Sequence, residues 1–118
     1  MAAILARSLQ DFGPAARDRY AALLLQAMRD VADNPLRTGA TLEPALDPTC
    51  RFYHIRHSRP RVPTPPGRVK EPRHQLVFEL AADGIVDIIA IVPDPVPRDV
   101  AMARIRQQGA PRRRPARS

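Results

Sequence analysis

Tryptophan is absent from this 118-residue sequence, aromatic residues make up 4% of it, and cysteine occurs once, as Cys50. A single cysteine excludes an internal disulfide and a cysteine-based zinc site built by one chain. The scarcity of aromatics leaves leucine, isoleucine, valine and alanine to form the core. No apolar run approaches the roughly 20 residues of a transmembrane helix, and no signal peptide is evident. The sequence therefore predicts a soluble cytoplasmic protein that does not enter a membrane.

Signatures of bound cofactors are lacking as well. The sequence contains no glycine-rich phosphate loop, no cluster of histidines and carboxylates at metal-ligand spacing, and no nucleophile turn around its serines. We expect neither a cofactor nor a metal ion.

Basic residues outnumber acidic ones, but they are distributed unevenly along the sequence. The formal net charge is +7, yet six of the 19 basic residues and none of the 12 acids lie in residues 104–118. Residues 1–103 therefore hold 13 basic against 12 acidic groups, and the basic ones concentrate in residues 51–74, where Glu71 is the single acid. The length fits one domain. We predict a folded domain over residues 1–103 and an Arg-rich disordered tail over 104–118.

Hydrophobic spacing predicts two helices at the start. Residues 14–33 show apolar positions three and four apart, begin with Pro14, and end at Asn34-Pro35, where proline stops a helix. Residues 2–10 form a shorter helical stretch. The two helices are predicted to make an α-hairpin.

Alternation of apolar and polar residues then predicts three strands, over 51–59, 74–81 and 85–92. A tight turn at residues 82–84 makes a hairpin of the last two. The 85–92 segment is apolar on both faces, which favours a central strand. A short helix over 98–107 is the last element. The predicted fold class is α+β, with an N-terminal α-hairpin packed on a three-stranded antiparallel β-sheet.

Histidine and arginine supply the candidate chemistry. His54, His57 and His74 are the side chains that titrate nearest neutral pH, and alternation places His54 and His57 on opposite strand faces. The arginines between residues 51 and 73 fit two interpretations: a phosphate-binding surface, or a solvated face that pairs with the acids of a partner. Composition favours the second interpretation.

Four stretches, taken together and in order, resemble the ParE branch of the RelE/ParE toxins of type II toxin–antitoxin systems. They read "FGPAARDRYAALLLQAMRDVADNPLRTGA", "RFYHIRHSR", "VKEPRHQLVFEL" and "GIVDIIAIVPD", and the resemblance spans about residues 2–99. It implies a helical hairpin on an antiparallel sheet, neutralised by a small acidic antitoxin encoded nearby.

The resemblance also implies two possible activities. ParE-like members poison DNA gyrase by protein contact, whereas RelE-like members cut mRNA on the ribosome with basic or tyrosine side chains. The candidate catalytic positions are His54, Arg56, Arg73 and His74. The candidate antitoxin- or target-binding positions are Arg51, His54, Arg56, Arg59, Arg73 and His74.

Two departures from the family pattern bear on activity. Relatives begin with a strand before the first helix, so we expect either an upstream start or the loss of that strand, which would leave an unpaired sheet edge. Pro93 stands where relatives carry a histidine, which removes an acid–base candidate. The first prediction is thus a non-enzymatic, ParE-like, antitoxin-binding toxin. The alternatives are a ribosome-dependent endoribonuclease, an inactive toxin relic, or a basic module whose Arg112, Arg113 and Arg114 contact nucleic acid nonspecifically.

Overall fold

A computed structural model describes residues 1–107. The elements are α1 (Ala2–Phe12), α2 (Pro14–Asp33), β1 (Ala40–Leu42), β2 (Cys50–His54), a 3₁₀ helix (Ile55–Arg61), β3 (His74–Leu80), β4 (Val86–Pro93) and α3 (Arg98–Gln107). The α+β class and the antiparallel sheet are confirmed. The predicted tail residues Arg112, Arg113 and Arg114 lie outside the described residues.

The N-terminal α-hairpin is confirmed. Gly13 joins α1 to α2 with a φ of 91°, a conformation that side chains with a Cβ rarely adopt, and Pro14 opens α2. Leu23, Leu24 and Val31 of α2 are fully buried against the sheet. Their separations fit the three- and four-residue apolar spacing that predicted this helix.

The sheet has four strands in the order β1-β2-β3-β4, all antiparallel, so the prediction of three strands was wrong. The added strand, β1, pairs Ala40 with Tyr53 and Leu42 with Arg51. Three residues are too few to display a period of two, which is why the turn-rich sequence around them concealed the strand.

The strand predicted over residues 51–59 is half as long as expected. It ends at His54, and the chain then turns into the 3₁₀ helix. The His54 side chain begins this turn by accepting a hydrogen bond from the Arg56 backbone N–H. Ser58, in the second half of the predicted strand, is fully buried, and its hydroxyl donates to the buried carboxylate of Asp30.

Strand β4 lies at the edge of the sheet, so its predicted central position was also wrong. Both of its faces are nevertheless covered: Val86, Ile88 and Ile91 pack on the α2 side, and Ile89, Ala90 and Val92 on the other. The register shifts between Val77, opposite Ala90, and Phe78, opposite Ile88. Ile89 is therefore the extra residue of a β-bulge, which exchanges the faces of the residues that follow it.

Helix α3 covers the sheet face opposite the α-hairpin. Its Met102 and Ile105 pack with Cys50, Phe52 and Val77 in a second apolar cluster. The helix runs through Gln107, across the boundary predicted at residue 103. The sheet is thus the middle of three layers, and its residues form two cores.

Candidate functional site

A basic groove of about 1120 Å³ lies between the α-hairpin and residues 66–74; we call it the hairpin groove. One face of α1 supplies Ile4, Ser8 and Phe12, which recur every four residues and therefore share a side of the helix. The residues from 66 to 74 form the opposite wall. They are held there by Arg59, whose Nη1 donates to the Lys70 carbonyl over 2.8 Å.

The cations of this groove outnumber its acids. Arg7, Arg19, Arg68, Lys70 and Arg73 line it, against Glu71 alone. Arg7 pairs with Asp11 at 2.9 Å and Arg73 with Glu71 at 3.3 Å, both at exposed positions. Arg19, Arg68 and Lys70 have no ion pair among residues 1–107. Phe12, which is 75% exposed, adds an open apolar surface to the same groove.

A tyrosine–histidine pair forms part of the groove floor. The Tyr20 hydroxyl lies 2.6 Å from His74 Nδ1, and the two rings meet edge to face. Tyr20 also accepts a hydrogen bond of 3.0 Å from the Arg73 backbone N–H. The Arg73 N–H occupies one lone pair of the Tyr20 oxygen, so the hydroxyl donates to His74 Nδ1 when the neutral imidazole carries its proton on Nε2, and accepts from Nδ1 when that nitrogen is protonated.

Burial sets the ionisation of both partners. It raises the pKa of Tyr20 above its usual value, although the Arg73 N–H bond opposes the rise. Burial also lowers the pKa of His74, against the attraction of Asp94. Desolvation disfavours the charged forms of both groups, so the pair is neutral at pH 7.

A second, more polar pocket of about 550 Å³ lies where β2 and β4 end; we call it the sheet-end pocket. It is lined on the α3 side of the sheet by His54, Gln75, Asp94 and Arg98, and at its rim by Thr38, Gly39, Thr41, Arg56 and His57. Alternation along β2 turns His54 to this side and Tyr53 to the α2 side. His74 faces α2, so the two histidines lie on opposite faces of the sheet.

His54 is held by both of its ring nitrogens. Nδ1 accepts the Arg56 backbone N–H over 3.1 Å, and Nε2 lies 2.9 Å from Oδ2 of Asp94. Accepting at Nδ1 places the proton on Nε2, where it is donated to the carboxylate. The residue is 8% exposed, so these two hydrogen bonds hold a buried imidazole.

Arg98 closes the α3 side of the pocket. Its guanidinium donates to Glu43, to Thr41 Oγ1 at 3.0 Å and to Gln75 Oε1 at 3.2 Å, and lies 4.5 Å from the centre of the Phe52 ring. These bonds join the start of α3 to β1 and β3. Arg98 therefore lines the pocket and also links α3 to the sheet through hydrogen bonds.

His57 forms the opposite rim. Gly39 has a φ of 98°, and a Cβ added there would lie 2.7 Å from the His57 ring, so the ring packs directly on glycine backbone. Burial, and then the neighbouring Arg56, lower the pKa of His57. Neither ring nitrogen of His57 has a hydrogen-bond partner within residues 1–107. The sequence placed His54 and His57 on opposite faces, but the 3₁₀ turn brings both to this pocket.

The predicted site residues thus divide between two surfaces. Arg73 and His74 belong to the hairpin groove, and His54 and Arg56 to the sheet-end pocket. Arg59 positions the wall of the groove. The remaining predicted residue, Arg51, is half-buried in β2 and lines neither surface.

Sequence reasoning missed Tyr20, Asp94 and Arg98. Tyr20 occurs within the apolar spacing of the predicted helix over residues 14–33, and Asp94 and Arg98 follow the last strand in a proline-rich stretch. The sequence separations are 54 residues between Tyr20 and His74 and 40 between His54 and Asp94. The segregation of basic residues in 51–74 was the available signal for the groove.

No known protein family has a model that matches this chain, and no curated protein or solved structure matches it. Residues 1–107 contain no cluster of three or more potential metal ligands. None of the helices in that part of the chain has an apolar stretch long enough to cross a bilayer.

Proposed function

We propose that the chain is a ParE-like toxin whose hairpin groove binds an acidic segment of its cognate antitoxin. The observation that carries the proposal is the set of three cations without acidic partners, Arg19, Arg68 and Lys70, beside the exposed ring of Phe12. An amphipathic acidic segment satisfies both features, because its carboxylates pair with the cations while its apolar side covers Phe12 and Ile4. DNA gyrase is the target that the family resemblance suggests.

The test couples growth to binding. We expect induced expression to arrest growth with altered DNA supercoiling and intact transcripts, and co-expression of the short acidic protein encoded beside the gene to restore growth. The double variant Arg19→Glu/Arg68→Glu should weaken the complex at least about tenfold, since two attractions become repulsions. Arg29→Glu is the matched control, because Arg29 is an exposed α2 arginine outside the groove. Equal weakening by Arg29→Glu, or no complex with the unaltered chain, would overturn the proposal.

A second candidate function is RNA cleavage in the sheet-end pocket. It is favoured by Arg56, an exposed guanidinium at the pocket rim that has no ion pair within residues 1–107, beside the histidines. The guanidinium of Arg56 would stabilise the negative charge of a phosphodiester bound there. His54 has both nitrogens engaged, so His57, neutral and with free nitrogens, is the available base.

Transcript integrity after induction separates the two candidates. Cleaved transcripts with unchanged supercoiling favour the nuclease, and His57→Gln should then abolish cleavage while His54→Gln destabilises the rim. Intact transcripts in growth-arrested cells exclude the nuclease.

A further inference from the structure

We propose that the Tyr20–His74 pair makes the hairpin groove a proton-coupled carboxylate site, so that an acidic segment binds there together with a proton taken up by His74. This inference rests on the proposed function of the groove and adds to it a mechanism that senses the partner's charge.

The hydrogen-bond directions in the empty groove define the starting state. The Arg73 N–H donates to the Tyr20 oxygen, and with the neutral His74 protonated on Nε2, the tautomer on which this inference is built, the Tyr20 proton is donated to His74 Nδ1. Tyr20 therefore has no proton left to offer a ligand. In this state Tyr20 offers no hydroxyl donor to a carboxylate in the groove.

Protonation of His74 reverses one of these bonds. An imidazolium donates from Nδ1, so Tyr20 accepts from both His74 and the Arg73 N–H, filling its two lone pairs. The Tyr20 O–H is then free to turn toward the groove and donate to a bound carboxylate. One proton thus supplies a positive charge and a new hydroxyl donor at the same point.

The groups that face His74 leave it poised for this change. Tyr20 contacts it from α2, and Arg73 precedes it in the chain. Asp94 at the end of β4 and His54 at the end of β2 act on it electrostatically from the other face of the sheet, and the terminal amine of Met1 acts from just before α1. Asp94 is the one anion among them. The carboxylates of a bound segment would add negative charge on the groove side, which favours the imidazolium.

Linkage gives the direction of the pH effect. The free-state pKa of His74 is lowered by burial, and binding an acidic segment raises it. Affinity then increases as pH falls from above the bound-state pKa to below the free-state pKa, about tenfold for each unit between the two values. Below the free-state pKa the gain is complete, provided that the partner's carboxylates remain ionised.

The experiment uses a synthetic probe of defined chemistry. The probe is an acetylated and amidated 16-residue peptide that repeats Glu-Leu-Ala-Glu four times, and its control replaces every glutamate with glutamine. Ring resonances of the histidines are titrated by NMR in the full chain, with and without saturating probe. Calorimetry in buffers of different ionisation enthalpy counts the protons taken up from pH 5.5 to 8.

We expect the probe to raise the His74 pKa and to bind with net proton uptake, while His57 serves as an internal reference whose pKa stays unchanged. His74→Gln keeps an acceptor for Tyr20 but cannot titrate, so it should bind with an affinity that no longer changes with pH. Tyr20→Phe should bind the probe more weakly at pH 5.5 and about equally at pH 8.

The results distinguish this inference from the function on which it rests. If the probe binds and Arg19→Glu/Arg68→Glu weakens it, but His74 keeps its pKa and no proton is taken up, the proton coupling is wrong and the groove remains a binding site. If the probe does not bind, or the glutamine peptide binds equally well, both proposals are overturned.

Discussion

Replacing Asp30 with alanine should destabilise the fold by about 3–5 kcal/mol, the range expected when one partner of a buried charge pair is removed. Asp30 is 2% exposed, and its carboxylate accepts hydrogen bonds from Ser58 Oγ at 2.6 Å and from Gln26 Nε2 at 2.9 Å. The guanidinium groups of Arg37 and Arg61 lie 3.9 and 3.8 Å away. Without the carboxylate, the Ser58 hydroxyl and the largely buried Arg37 lose the group they face.

The directions of the hydrogen bonds around Asp30 determine how much each neighbouring substitution should lower the free energy of unfolding. Because Ser58 donates to Asp30, the Tyr53 hydroxyl must be the donor in its 2.8 Å bond to Ser58. Ser58→Ala leaves that buried hydroxyl without an acceptor and removes a bond to a charged group, at a cost of about 2–3 kcal/mol. Tyr53→Phe removes a donor only, and should cost about 1 kcal/mol.

The assay is urea unfolding followed by far-UV circular dichroism. The midpoint should decrease in the order Tyr53→Phe, Ser58→Ala, Asp30→Ala, with m-values unchanged. The double variant Tyr53→Phe/Ser58→Ala should cost less than the sum of its parts, since the two residues share one bond. A loss below about 1 kcal/mol for Asp30→Ala would refute the reasoning that the carboxylate organises this network.

Three further outcomes follow from the geometry. Gly39→Ala should cost about 1–3 kcal/mol by urea unfolding and shift the His57 ring resonances, because a Cβ there strains a positive φ and meets the ring. Arg98→Met should cost about 1–2 kcal/mol and increase hydrogen exchange in α3, since it removes the bonds to β1 and β3 and the contact with Phe52; unchanged exchange would contradict the proposed link. Acidification should lower the unfolding free energy of the unliganded chain, because burial lowers the pKa of His74 in the folded state. The stability that this shift contributes is present above the unfolded-state pKa near 6.5 and is lost as pH falls through the folded-state pKa. His74→Gln should make the unfolding free energy, measured by chemical denaturation, less dependent on pH.

The helices were predictable from the sequence because their signals are local. Pro14 and the Asn34-Pro35 pair bound α2, and its apolar spacing identified the buried face. The segment after His54 was different, because Tyr53 and Ile55 are both fully buried, as strand alternation requires, although Ile55 already belongs to the 3₁₀ helix. A strand and a 3₁₀ helix can produce the same burial pattern, so the amino-acid sequence alone did not distinguish them.

The edge position of β4 was unpredictable for a different reason. Apolar residues on both sides of a strand indicate that both faces of the sheet are covered, here by α2 and α3. They do not indicate whether a second neighbouring strand is present. The site was predictable where its residues are adjacent in sequence, as for Arg73 and His74. Tyr20 meets His74 because α2 packs on the sheet, and Asp94 meets His54 because β2 and β4 finish at the same end of the sheet; neither contact is evident from sequence adjacency.

The balance of charges gives the two surfaces different suitability for an acidic partner. In the sheet-end pocket Arg98 is neutralised by Glu43, and His54 donates to Asp94, which leaves Arg56 as the cation without an ion pair within residues 1–107. In the hairpin groove three cations have no acidic partner in that part of the chain, and an open apolar ring lies beside them. A long acidic segment would gain several attractions in the groove without breaking an existing pair, whereas in the pocket it would compete with Glu43 and Asp94 for their partners. The groove is therefore better suited than the pocket to the acidic partner proposed above, whereas the pocket offers an incoming phosphate the single cation of Arg56.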